Sequence, residues 1–204
     1  MDSIFRVRLS CFGTELTAIA QRASPQLIRI IAGVASPTTS AASGSALSSA
    51  IAGSASQVTV TFKDQFSNVF TANDYTQYLQ ATGSSAVSVS FDPSSGIGSP
   101  SVTDNADGTM TVSYTLTTAG SYQMTISQAL PSNAGGTGTI STSSLVVKPG
   151  AVAASQTTLI NLPSEITAGV SQKVIIRTKD ASGNDLQGPL ASMPTVVIQV
   201  GRFG

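Results

Sequence analysis

The chain has 204 residues, room for one large domain or two small ones at about 100–150 residues each. Hydrophobic residues make up 41% and can supply a core, but charged residues make up only 10%, and ten basic side chains cancel ten acidic ones. A chain with no net field does not steer itself to nucleic acid. With no histidine and one cysteine, Cys11, it also excludes His-based triads, Cys–His dyads, multi-cysteine zinc sites and an internal disulfide.

Read from the N-terminus, Met1–Leu16 carries Arg6 and Arg8 where an export signal needs an unbroken apolar run. The longest apolar stretch, Ile28–Val34, is interrupted by Arg29 and is far too short to cross a bilayer, so no membrane insertion is expected and the compartment stays open. Phe5, Val7 and Leu9 alternate with Arg6 and Arg8, the pattern of a strand with one solvated basic face rather than a phosphate site. Cys11 closes that strand as an incidental thiol. Ala41–Ala55 is rich in Ser, Ala and Gly; because serine weakens helix interiors, it reads as an irregular first strand and not as a helix over Ala46–Ile51. Beyond it, Val58/Val60/Phe62, Val87/Val89/Phe91, Met110/Val112/Tyr114 and Tyr122/Met124/Ile126 each alternate with polar residues, the period of half-buried strands. Turn residues separate them at Asp92-Pro93, Ser95-Gly96, Asn105–Gly108 and Ala119-Gly120. The predicted class is all-β, an immunoglobulin-like sandwich of about seven strands.

The chain also repeats itself. AGSASQVTVTFKDQFSN, ending at Asn68, falls without a gap on AGVSQKVIIRTKDASGN, ending at Asn184, at a shift of 116; Lys63-Asp64 meets Lys179-Asp180, and Val58 and Val60 meet Val174 and Ile176. SYQMTIS (Ser121–Ser127) parallels IFRVRLS at residues 4–10, and at a shift of 118 Leu27 aligns with Leu145 and Val34 with Val152. The expected organisation is therefore the last two strands of one repeat over residues 1–34, a complete repeat over 35–149, and the first strands of a third over 150–204.

One stretch carries a family resemblance. Residues 105–126, NADGTMTVSYTLTTAGSYQMTI, resemble the filamin-type immunoglobulin-like repeat, with Asp107-Gly108-Thr109, Val112, Tyr114, Gly120 and Tyr122 at the positions of that family's pattern. Leu116 stands where the family usually has proline. The resemblance implies a non-catalytic scaffold or linker module, without cofactor, that binds protein partners or peptides by strand addition. The partner-binding edge it implies is Ala86, Val87, Ser88, Val89, Ser90 and Phe91, facing Ile97–Thr103. The low charge and the 32 serines and 24 threonines support a rival, a cell-surface or secreted adhesive repeat.

No GxGxxG, Walker-type loop or GxSxG occurs, so neither nucleotide binding nor a nucleophile elbow is indicated. Asp104, Asn105 and Asp107, and likewise Asp180 and Asp185, read as turns rather than calcium ligands, since no distal glutamate completes a binding loop. The apolar faces of the two incomplete ends point to self-association. Residues 36–149 hold the full strand complement, so this segment expressed alone should melt cooperatively with β-type circular dichroism; a non-cooperative melt contradicts the boundaries.

Overall fold

The computed structural model describes residues 9–11, 14–16, 31–72, 74, 87–130 and 136–186. The chain divides into two compact units, Met1–Ile31 and Ala32–Gly204. In the first, β1 (Leu9–Cys11) and β2 (Thr14–Leu16) pair antiparallel, with Leu9 opposite Leu16 and Cys11 opposite Thr14. Phe5, Val7, Arg6, Arg8, Leu27, Ile28 and Ile30 lie outside the described residues.

The second unit holds a β-sandwich. Its strands are β3 (Ala41–Ser43), β4 (Ser49–Ile51), β5 (Ala55–Thr61), β6 (Val87–Asp92), β7 (Ser101–Asp104), β8 (Thr109–Thr115), β9 (Gly120–Ala129) and β10 (Thr137–Lys148). One sheet has the order β3-β5-β8-β7 and the other β4-β10-β9-β6. The Ser/Ala/Gly-rich start thus forms two short strands, one in each sheet. Gly44, at φ 128°, and a 3-10 turn over Ser45–Leu47 carry the chain across. β3 runs antiparallel to β5, whereas β4 lies parallel to β10. Tyr114 fixes the crossing from within by donating its hydroxyl hydrogen to the carbonyl of Ala46.

The period-2 residues face each other across the interior. Val58, Val60, Met110, Val112 and Tyr114 come from one sheet, and Phe91, Tyr122, Met124, Ile126, Leu145 and Val147 from the other; all are buried. The rings of Phe91 and Tyr114 meet across the gap at 5.0 Å between centroids, tilted by 56°. Burying such side chains contributes roughly 1.5–3 kcal/mol each against the entropy of ordering the chain. The core is the sequence alternation folded shut.

The turns follow their residue chemistry. Between β7 and β8, Ala106 (φ 57°) and Gly108 (φ 92°) reverse the chain, and a Cβ on Gly108 would fall 2.2 Å from the carbonyl oxygen of Phe70. Only glycine fits there. Leu116, in the place of the family's proline, is buried and bridges Ile97, while its carbonyl accepts from the Gly53 amide at 2.8 Å. The exit of β8 is held by those contacts instead of by a fixed φ. Tyr122, near the start of β9, donates its hydroxyl to the carbonyl of Thr118 at 2.9 Å, the tyrosine-corner arrangement that ties a strand start to the preceding loop.

A third segment repeats the opening of the sandwich. β11 (Thr158–Ile160) and β12 (Ile175–Arg177) pair antiparallel, with Leu159 opposite Ile176, as Ala42 stands opposite Val60. The counterparts keep their register at shifts of 117 and 116. Among the described residues their apolar side chains are exposed, Ile176 to 36% where Val60 is fully buried. Val197 and Val200 lie outside the described residues.

Tyr122→Ala should destabilise the sandwich by about 3–5 kcal/mol, as truncating a buried aromatic does, and Tyr122→Phe by about 1 kcal/mol, the worth of one hydrogen bond. Val112→Asp should prevent folding, because an unpaired charge would enter a fully buried position. Asp107→Ala, at an exposed turn, should be far milder. Urea unfolding of the four variants checks the order.

Candidate functional site

Two surfaces carry interaction chemistry. The first is a sheet edge. β6 lies at the end of its sheet and, among the described residues, pairs only with β9, from Val87 opposite Gln128 to Asp92 opposite Gln123. Val87 and Phe91 are buried and Val89 is half-buried, all facing inward, while Ser88, Ser90 and Asp92 are exposed. β7 ends the opposite sheet, among the described residues paired only with β8, and all four of its residues are exposed, Val102 to 37%. Ile97 sits in the connection between β6 and β7 and packs against the core, half-buried. Ala86 lies outside the described residues. An unpaired edge offers backbone N–H and C=O groups to an extended segment, and alternating inward side chains offer it pockets.

The second surface is a pair of turns built on buried aspartates. Asp64 is 2% exposed, yet its carboxylate is saturated. Oδ1 accepts from the amides of Phe66 and Asn68, each at 2.9 Å; Oδ2 accepts from the Asn68 side chain and from the amide of Gly33, also at 2.9 Å. Asp180 repeats this with the amides of Ser182 and Asn184, the Asn184 side chain, and the amide of Gly150 at 2.8 Å. Each carboxylate ties an entering segment to a turn downstream, after β5 for Asp64 and after β12 for Asp180. The Gly33 amide, followed by the Asn68 side chain, holds the Asp64 carboxyl down at about 2, against 3.8 ordinarily. At Asp180 burial pushes the other way and is outweighed by Asn184, Gly150 and Ser182, so its carboxyl also lies below the usual range.

This geometry corrects the repeat alignment. Gly33 matches Gly150, and Ala35, bridged to Asp64, matches Val152, bridged to Asp180. The shift there is 117, and Val34 corresponds to Ala151 rather than to Val152. The recurring Lys-Asp…Asn signal was visible in the sequence, but nothing local marked the aspartate as buried. Its partner glycine lies about 30 residues upstream.

The third segment docks through the same turn. The Asn184 side-chain oxygen accepts from the Ala119 amide at 2.9 Å, and its nitrogen donates to the Thr117 carbonyl at 2.8 Å. One carboxamide thus closes its own turn and grips the β8–β9 turn of the sandwich.

The other acidic residues serve their turns. Asp104 Oδ1 accepts from the Ala106 amide, and Asp107 Oδ1 from the Thr109 hydroxyl and amide, which hold its carboxyl below the ordinary range. Asp185 pairs with Arg177 at 3.1 Å on the surface. Among the described residues no group of three or more acidic or cysteine side chains is arranged to hold a metal ion, and no helix is long and apolar enough to cross a membrane.

Sheet order, split first strand and tyrosine corner define an immunoglobulin-like sandwich. The family model for the Filamin/ABP280 repeat matches residues 34–129, and this segment is a filamin-type repeat, a fold that is generally non-catalytic. β10, beyond the matched span, completes the second sheet. No curated protein matches the chain. Among solved structures, the Escherichia coli adhesin FdeC is similar over 78% of this chain and 46% of its own, at 21% identity and a TM-score of 0.53. The chain therefore spans less than half of that structure. The Lin-41 filamin domain is similar at 17% identity and a TM-score of 0.41, over 58% of this chain and all of its own. Invasin, a bacterial integrin-binding protein, is similar at 19% identity and a TM-score of 0.48, over 76% of this chain and 29% of its own.

A carboxyl that is more acidic folded than unfolded contributes stability above its unfolded value and loses it on protonation. Asp64 therefore stabilises fully above about 3.8, and that contribution disappears as pH falls toward about 2; Asp107 and Asp180 act in the same sense. The urea midpoint should fall across that window. Asp64→Asn should start lower at neutral pH and fall less steeply; an unchanged slope contradicts the assignment.

Proposed function

We propose that this chain is part of a non-catalytic, tandem-repeat scaffold or linker protein, organised as residues 1–34, 35–149 and 150–204, which binds protein partners by strand addition along β6. The observation that carries this reading is the outer edge of Val87–Asp92, unpaired among the described residues, with Val87, Val89 and Phe91 turned inward and β7 ending the facing sheet. An extended peptide would add its backbone to β6 and place alternate side chains toward Val89 and Val102. The edge carries no charge between Val87 and Phe91, which suits small or apolar peptide side chains. The exposed apolar face of β11–β12 supports self-association as a further mode of partnering.

A second reading, a repeat of a cell-surface adhesin, is favoured by the fold shared with the adhesin FdeC and by the abundance of serine and threonine over charge. Surface proteolysis of intact cells that make the native protein separates the readings, since only an adhesin is cleaved from outside.

Strand addition is tested by titrating peptides of alternating valine and serine into the labelled chain. Amide shifts should concentrate in residues 87–92 and 101–104, and Val89→Glu should weaken binding at least tenfold, about 1.4 kcal/mol. Shifts centred on another surface would remove the proposal.

A further inference from the structure

The Asp64 turn matches the Asp180 turn in every internal bond, but differs in what its outer side meets. Both begin Lys-Asp and end in Asn; both place a left-handed residue before that Asn, Ser67 at φ 68° and Gly183 at φ 85°. Asn184 is half-buried because it holds Thr117 and Ala119, whereas Asn68 is exposed, with its side-chain nitrogen on Asp64 as in the docked copy. Three large hydrophobic side chains on or near this turn are exposed: Phe66 to 75%, Val34 to 64% and Val69 to 53%. Three large hydrophobic side chains beside one polar anchor make a docking patch rather than a solvated turn.

We propose that the 64–69 turn is the seat for the β8–β9-type turn of a preceding filamin-type repeat, gripped by Asn68 as Asn184 grips Thr117 and Ala119. The inference rests on the tandem-repeat reading and is independent of strand addition along β6. The occupant follows from the engaged copy of the motif. It presents a carbonyl and, two residues later, an amide N–H, the acceptor and donor that a carboxamide satisfies together. Phe66 stands where the docked copy has a serine. Its counterpart Ser182 lies against Gly53, with the serine oxygen 3.5 Å from where a Cβ on that glycine would be. The two joints would then share one polar clasp and differ in apolar content, the first being the stronger.

The chain has no tryptophan, which allows a direct test. In a chain carrying residues 33–149 twice in succession within the full sequence, Phe66→Trp in the second copy should emit to the blue of free indole in water. Asn68→Ala in that same copy should shift the emission back to the red. Emission as red as free indole before that change overturns the proposal. In the unduplicated chain, Ala181→Gln, Ser182→Phe and Gly183→Ser together write the first turn into the second. The Ala119 amide should then exchange as slowly as in the unsubstituted protein, while Asn184→Ala speeds it roughly tenfold. Exchange in the triple variant as fast as in Asn184→Ala overturns the proposal as well. Peptide binding at β6 should be unaffected by any of these changes, so failure here and failure of strand addition are read separately.

Discussion

A carboxylate taken out of water must be given hydrogen bonds in return, and at Asp64 four N–H groups from three residues supply them. The arrangement fixes where the entering segment meets the sandwich. Gly33 is held on Asp64, Ala35 bridges the same residue, and the amide of Ser36 donates to the Lys63 carbonyl. From that anchor the chain turns through Pro37–Thr39 into β3 with its register already set. Asp180 does the same for the next segment, so each of the two segments starts from a charged anchor.

The two interaction surfaces differ in kind. Under the proposed strand addition, recognition at the edge of β6 is by backbone, which any extended segment of suitable side chains can satisfy. At the Asn184 turn it is by a single carboxamide matched to a carbonyl and an amide in fixed relation, which demands a partner with the right turn. The first suits exchangeable partners and the second a permanent neighbour. Keeping them on separate parts of the module lets one be occupied without disturbing the other.

Much of the sandwich was legible because it is local. Alternation placed β5, β6, β8 and β9, and Asn105–Gly108 marked the reversal between β7 and β8. The division of the first strand between two sheets was not, because Gly44 and the serines around it signal irregularity without saying which sheet each half joins. The buried aspartates were hidden for a similar reason. Lys-Asp-Gln-Phe-Ser-Asn reads as an exposed turn, and only folding brings the Gly33 amide to Asp64. That β6 ends its sheet is not legible in composition, since Val87–Phe91 alternates just as Val58–Phe62 does in the interior of its sheet.

The parallel pairing of β4 with β10 has a mechanical consequence. Ser49–Ile51 lies near the entry to the sandwich and Val146–Lys148 at its exit, side by side and pointing the same way. Tension applied to the two ends of the repeat pulls these strands past one another along their length. The bonds between them, including the Val146 amide to the Ser48 carbonyl and the Ala52 amide to the Lys148 carbonyl, then resist together. A hairpin opened from one end would instead part its bonds one after another. A sandwich whose entry and exit strands are clamped in shear can carry force from one end to the other while its core stays closed.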